Sequence, residues 1–280
     1  MYPELFSFGP FTLRSYGLML AIGFLSGIML AARRAKKAGE NPEYIYNLSV
    51  WTVISSLVGA RLYYVFTHYV EFRADKELSI IKRFATEFKN IFWPVGADGR
   101  VGISGLILYG GLILATLVTI LYLKKHQLSI LKYLDIIGPS LGLGEFFTRI
   151  GCFLNGCCFG KLTESRVGVV FPELSAAGYF YPDTHIHPAQ LYSAFAGLAI
   201  CILLLILERY KRFDGFIALL YFIFYAAGRF TIDFFRHYEI QMKFMGLSQN
   251  QILSLLVFAI AGMLMIYSLN KAGQRGKDIG

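Results

Sequence analysis

The chain has 280 residues, of which 56% are hydrophobic and only 16% charged, whereas a soluble globular chain carries about a quarter charged residues. That composition excludes a large soluble domain and leaves membrane spans of about 20 residues joined by loops. The net charge of +9 does not call for nucleic acid, because in a lipid-embedded chain Lys and Arg gather at cytoplasmic loop ends.

Residues 1–13 have neither a basic stretch before the first apolar run nor a small-residue cleavage site, so the first span reads as retained. Apolar stretches follow at 16–32, 48–69, 101–123, 133–154, 188–207, 216–235 and 247–269. They predict an all-α polytopic bundle of about seven transmembrane helices within a single integral-membrane domain spanning 1–280. No stretch alternates with period two, as the strands of a membrane barrel would. The 70–100 segment reads as an outer loop; Ile80, Ile81, Phe84 and Phe88 are spaced for a short surface helix, and a solvated loop explains them equally well. A second outer loop covers 156–187. With the N-terminus outside, the inner segments hold 13 basic residues against six acids, and the outer ones eleven against ten. Basic residues concentrate on cytoplasmic loops, so this predicts an outer N-terminus and a cytoplasmic C-terminus. The glycines of 102–111 and 138–144 suit close helix packing.

Three arginines, Arg61, Arg149 and Arg229, interrupt apolar spans. Each costs at least about 2.5–3.5 kcal/mol near a bilayer centre, so each needs a partner or a purpose. Counted from their cytoplasmic helix ends they lie 13, 16 and 14 residues along, or about 20–24 Å, in the outer third of the hydrocarbon core. Glu145 and Asp233 are spaced four residues from Arg149 and Arg229 and offer local pairing. Three guanidiniums at one depth nevertheless favour a shared anionic ligand, and a lipid phosphate, which a guanidinium forks onto with two hydrogen bonds, is the anion present at that level. Tyr16, Tyr109, Asn155, His187, Gln190, Tyr192, Tyr225, Asp233 and Arg236 fall at similar depth. Cys152, Cys157 and Cys158 are too few for a disulfide scaffold, and with His185 and His187 their spacing matches no standard zinc pattern, so no metal is expected.

The segment Thr148-Arg-Ile-Gly-Cys-Phe-Leu-Asn-Gly-Cys-Cys-Phe-Gly160 resembles the signature of the prolipoprotein diacylglyceryl transferases. Arg149, Gly151, Phe153, Asn155 and Gly160 match it; Thr148 stands for Gly, Cys152 for Asn and Cys157 for Glu. Further stretches resemble the family in order along residues 10–270: Arg14-Ser-Tyr16-Gly-Leu-Met, Gly59-Ala-Arg61, Tyr109-Gly-Gly-Leu112 with Tyr109 in a His position, His187-Pro-Ala-Gln-Leu-Tyr192, and Gly228-Arg-Phe-Thr-Ile-Asp-Phe-Phe-Arg236 with Asp233 for Glu.

The resemblance implies a bacterial inner-membrane enzyme with its active site toward the outer leaflet and no cofactor. It would transfer the diacylglyceryl group of phosphatidylglycerol to the lipobox cysteine thiol in a prolipoprotein signal peptide, leaving a thioether and glycerol 1-phosphate. Its partners would be these substrates and the lipid bilayer, with no nucleic acid. The resemblance places Arg149 and Arg229 on the phosphate, with Asn155 and Tyr16 on the headgroup and Asp233 and Arg236 orienting Arg229. Arg61 reads either as a ligand or as a structural pair. Tyr109, with Gly110 and Gly111, and His187 would face the incoming thiol. The replacements at Tyr109 and Cys157 leave open a catalytically silent paralogue that holds anionic phospholipid. An anion transporter is a weaker reading, since neither repeated halves nor broken helices are visible.

Overall fold

The computed structural model describes residues 4–8, 11–69, 107–173, 175–238 and 243–277. Two short strands, β1 (Glu4–Phe8) and β2 (Phe11–Arg14), form a two-stranded sheet before the first helix. The helices α1 (Ser15–Lys37), α2 (Glu43–Thr67), α3 (Leu108–Lys125), α4 (Ile130–Asn155), α5 (Ala176–Phe180), α6 (Ala189–Leu207), α7 (Phe216–Asp233) and α8 (Gln249–Lys277) then follow. A single 3₁₀ turn, Glu208–Tyr210, extends α6, and the strands β3 (Lys243–Phe244) and β4 (Leu247–Ser248) pair antiparallel just before α8. Among the described residues each predicted span coincides over most of its length with a long helix, residues 101–106 lying outside them, and the fold is the expected helical membrane bundle. Among the described residues six helices, α1, α2, α3, α6, α7 and α8, are long and apolar enough to cross a membrane. Helix α4 has the length but carries Lys132, Asp135, Glu145 and Arg149, which lower its hydropathy. The proposed surface helix at 80–88 lies outside the described residues.

The chain divides into two compact units, one of Met1–Phe6, Leu13–Pro42 and Leu131–Gly280, the other of Ser7–Thr12 and Glu43–Ile130. In the second unit α2 packs on α3 through glycines: a β-carbon on Gly59 or Gly110 would strike the backbone of the other, and one on Gly111 would come within 2.8 Å of the Ser56 carbonyl. Gly110 and Gly111 thus serve helix packing, and dispersion between close backbones replaces the hydrophobic drive that lipid removes.

In the first unit α1 buries a stripe of small residues, Gly23, Gly27, Ala31 and Ala35, one turn apart. A β-carbon on Gly23 would meet Phe147 at 2.9 Å, which brings α1 onto α4. Gly142 of α4 and Gly197 of α6 make the same kind of contact, each β-carbon position lying within 2.8 Å of the other's carbonyl. The second predicted loop, 156–187, is folded: Phe159, Phe171, Ala177 and Ile186 form a small core, and bridges join Gly160 to Arg236 and Ile186 to Leu162 and Val169.

One end of this unit is held by charge. Arg34, 5% exposed, donates to the carbonyls of Ile136 and Asp135 at 3.0 Å and to Glu208 Oε2 at 2.7 Å. The Asp135 carboxylate accepts from the backbone N–H groups of Gly215 (2.8 Å) and Ala218 (2.9 Å) and pairs with Lys211 Nζ at 2.9 Å. It therefore caps α7, where the unsatisfied amides and the helix dipole favour an anion.

Candidate functional site

The opposite ends of α4 and α7 meet the folded 156–187 loop and the start of α8. Helix α4 closes with Gly156 in the left-handed region (φ 72°). Gly156 N–H donates to Phe153 O at 3.1 Å and Cys157 N–H to Cys152 O at 3.2 Å, the paired 5→2 and 6→1 bonds of a Schellman cap. The cap folds the chain back, so that the Sγ atoms of Cys152, Cys157 and Cys158 all lie within 4.8 Å of one another. All three are free thiols. Gln190, at the start of α6 and 1% exposed, steadies this turn by donating Nε2 to the Cys157 carbonyl at 2.8 Å. Hydrogen bonds from the Cys152 and Cys157 thiols, and then the charges of Arg236 and Arg149, hold the Cys158 thiol below the ordinary thiol range.

Arg149 lies one turn before Cys152. Its Nε sits 3.5 Å from Glu145 Oε1, an ion pair too long to count as a hydrogen bond. Arg229, near the end of α7, donates Nη2 to the Tyr238 hydroxyl at 3.0 Å and pairs with Asp233 Oδ1 at 3.5 Å. Asp233, 2% exposed, accepts hydrogen bonds from the hydroxyls of Tyr238 and Ser248. Ser248 in turn caps α8: its Oγ accepts from Gln251 N–H at 3.1 Å, while Gln251 Oε1 accepts from Ser248 N–H at 2.9 Å, a capping box. Burial, then the bond to Asp233, raises the Tyr238 hydroxyl above the usual phenol value, so Tyr238 stays a donor. Arg236, held by the bridge to Gly160, lies with its guanidinium 5.5 Å from the centre of the Tyr238 ring.

Arg149 Nε, Arg229 Nη1 and Arg236 Nε are all buried, and none has a hydrogen-bond partner among the described residues. Their charges converge: Glu145 and Tyr225 both lie within electrostatic reach of all three guanidiniums. A buried donor left unbonded costs about 1–3 kcal/mol, more when charged. An anion with several acceptor oxygens would satisfy all three groups, and the fork of a guanidinium suits phosphate oxygens in particular.

The residues singled out in the sequence divide between the units. Tyr16, in the first turn of α1, lies against Gly151, whose β-carbon would come within 3.3 Å of it, and within electrostatic reach of all three cysteines and Arg149. Asn155 is the last residue of α4. His187 bonds the Tyr192 hydroxyl through Nδ1 at 3.1 Å and packs edge-on against Phe235; its carbonyl accepts from Gly160 N–H. Asp233 and Arg236 stand beside Arg229 as stated. Arg61, Tyr109, Gly110 and Gly111 belong to the second unit, where the Arg61 guanidinium lies 5.8 Å from the Tyr64 ring centre and Tyr109 is 67% exposed in the first turn of α3. Within the first unit the third guanidinium beside Arg149 and Arg229 is Arg236. Tyr238 and Ser248 escaped the sequence reading; an S-x-x-Q cap ahead of the last apolar run was the one available signal for Ser248.

The chain matches the family model for prolipoprotein diacylglyceryl transferase over residues 3–267. It is 32% identical to the phosphatidylglycerol–prolipoprotein diacylglyceryl transferase of Clostridium tetani across 84% of this chain and 86% of that one. Two Clostridium perfringens proteins of the same name, numbered 1 and 2, are 31% and 30% identical, covering 99% and 92% of this chain and 98% and 91% of their own.

Proposed function

This chain belongs to the prolipoprotein diacylglyceryl transferase family, and we propose that it transfers the diacylglyceryl group of phosphatidylglycerol to the lipobox cysteine of a prolipoprotein. The observation that carries the reading is the set of three convergent guanidiniums, each with a buried N–H that has no hydrogen-bond partner among the described residues. In this reaction the carbon–oxygen bond to the phosphate breaks while a thiolate attacks the glyceryl carbon. Negative charge grows on the leaving phosphate, and donors already in place at that point stabilise the transition state without reorganising.

Arg149 and Arg229 bind the phosphodiester. Arg236, expected from the sequence as a substrate-binding residue beside Arg229, has a buried Nε without a hydrogen-bond partner among the described residues and serves as a third ligand. Asp233, Tyr238 and Ser248 hold Arg229 in register, and Asn155 and Tyr16 contact the headgroup. His187 remains on the thiol side. The site faces the outer leaflet of the bacterial inner membrane, where both substrates are present, with the N-terminus outside.

Mass spectrometry of a lipobox peptide incubated with the purified chain and phosphatidylglycerol tests this. A diacylglyceryl mass gain on the cysteine, lost in Arg149→Ala and Arg229→Ala, is expected. A folded wild-type chain that retains the lipid but gives no mass gain would refute the transferase and leave a lipid-binding paralogue.

A further inference from the structure

Cys152, Cys157 and Cys158 have no part in the phosphate site, yet the fold spends three devices on bringing them together. The Schellman cap at Gly156 reverses the chain, Gln190 pins the Cys157 carbonyl at 2.8 Å, and Cys158 takes a left-handed backbone (φ 59°) that a residue with a side chain adopts only at a cost. The outcome is three Sγ atoms within 4.8 Å of one another, Cys152 buried and Cys158 exposed at the mouth. A disulfide would use two of them and strand the third. A metal bound to three thiolates at about 2.3 Å holds its sulfurs roughly 3.8–4.0 Å apart, a separation these side chains reach with small rotations.

We propose that Cys152, Cys157 and Cys158 form a three-thiolate site for a soft divalent cation of the zinc class, whose fourth coordination position takes the thiolate of the acceptor cysteine. The fourth ligand rests on the transferase reading above. Catalytic zinc sites keep three protein ligands and one open position, and a thiol that coordinates the metal loses its proton. A thiol alkylation needs this, because a free cysteine at neutral pH is mostly protonated and the thiolate is the nucleophile. Zinc with three thiolates carries one negative charge and with the substrate thiolate two. Arg149 and Arg236, both within electrostatic reach of Cys158, offset them.

The step balances without an added oxidant or reductant. The acceptor thiol releases its proton to solvent on coordination, and its sulfur lone pair forms the S–C bond to the glyceryl carbon. The C–O bond to phosphate breaks, and the oxygen leaves with the electron pair as glycerol 1-phosphate. The family spacing hides the site because all three ligands come from one seven-residue stretch closed by a helix cap.

The test uses the full chain in detergent, loaded with Co²⁺ as the probe. A stoichiometric thiolate-to-cobalt charge-transfer band is expected, lost in Cys157→Ser and Cys158→Ser and kept in Cys201→Ser, a buried thiol on α6. The band should shift with a lipobox peptide and not with its Cys→Ser counterpart. Removing the metal should lower transfer roughly 30-fold, the inverse of the thiolate fraction of a free cysteine at pH 7. Absence of the band, its survival in both variants, or indifference to the cysteine peptide would overturn the proposal. Full transfer by the metal-free chain would also overturn it and leave the transferase intact. A band that responds to peptide in a chain unable to transfer from phosphatidylglycerol would keep the metal site and sink the transferase.

Discussion

Asp135 and Arg149 are both charged residues on α4, fourteen positions apart, about 21 Å along the helix. Around Asp135 the hydrogen-bonding inventory is filled: two backbone amides at the start of α7 and Lys211 satisfy the carboxylate, while Arg34 beside it has an acceptor for each of its three nitrogens. Around Arg149 it is left open: Arg149 Nε has only the long 3.5 Å ion pair to Glu145, and Arg229 Nη1 and Arg236 Nε have no hydrogen-bond partner among the described residues. Both ends bury charge, but only the first completes the pairing that makes burial tolerable. On the function proposed above the difference separates a clamp from a receptor: a structural charge is closed by the chain itself, and a ligand-binding charge waits for oxygens from outside.

Substitutions at the two ends should therefore fail in opposite ways. Asp135→Ala strands Lys211 and two amides in a buried setting and should cost about 3–5 kcal/mol of stability, read by denaturant titration in micelles, with the rate per folded molecule unchanged. Arg149→Gln or Arg229→Gln leaves Glu145 or Asp233 short of its partner but keeps a side-chain amide donor, so it should cost less stability than Asp135→Ala and slow single-turnover transfer by about 10²–10³-fold. A stability loss as large as that of Asp135→Ala, with the rate per folded molecule unchanged, would erase the distinction. Gly110→Ala provides a contrast free of charge: the new methyl meets backbone on α2 and should destabilise by about 1–3 kcal/mol through overpacking, seen in the same titration. Tyr238→Phe removes the hydroxyl joining Arg229 to Asp233 and should cost about 1 kcal/mol of positioning, a loss of roughly fivefold in the single-turnover rate.

The smallest effect concerns pH. Burial pulls the Lys211 ammonium down, but hydrogen bonds to Asp214 and Asp135 outweigh it and leave it above the ordinary lysine value. A raised value in the folded state means a contribution that is complete below the unfolded lysine range and lost as pH rises through the folded one. The wild-type chain should lose a fraction of a kcal/mol of stability above about pH 10.5 relative to Lys211→Met, whose melting curve lacks that step.

Much of this was legible in the chain itself. The spans could be read because lipid demands long apolar helices, and Arg149 and Arg229 stood out because a guanidinium inside such a run is costly. Even α4, with its four charges, shows as an apolar stretch over 133–154. What escaped depends on contacts made by tertiary folding. Arg236 joins the other guanidiniums through a bridge to Gly160, Tyr238 and Ser248 reach Asp233 from beyond α7, and Gln190 finds Cys157 from another helix. The glycine run 102–111 suits close helix approach, and Gly110 and Gly111 do contact α2. The cysteines lie five and one positions apart, a spacing that looks unsuited to a shared ligand until the reversal at Gly156 is taken into account.

The most direct test of the open end is native mass spectrometry of the purified chain with phosphatidylglycerol, competed with glycerol 1-phosphate. Wild type and Lys211→Met should retain the lipid and release it to the competitor, and the Arg149→Gln, Arg229→Gln double variant should lose it at the same concentration. Equal retention by all three would contradict the assignment of these guanidiniums to the lipid phosphate.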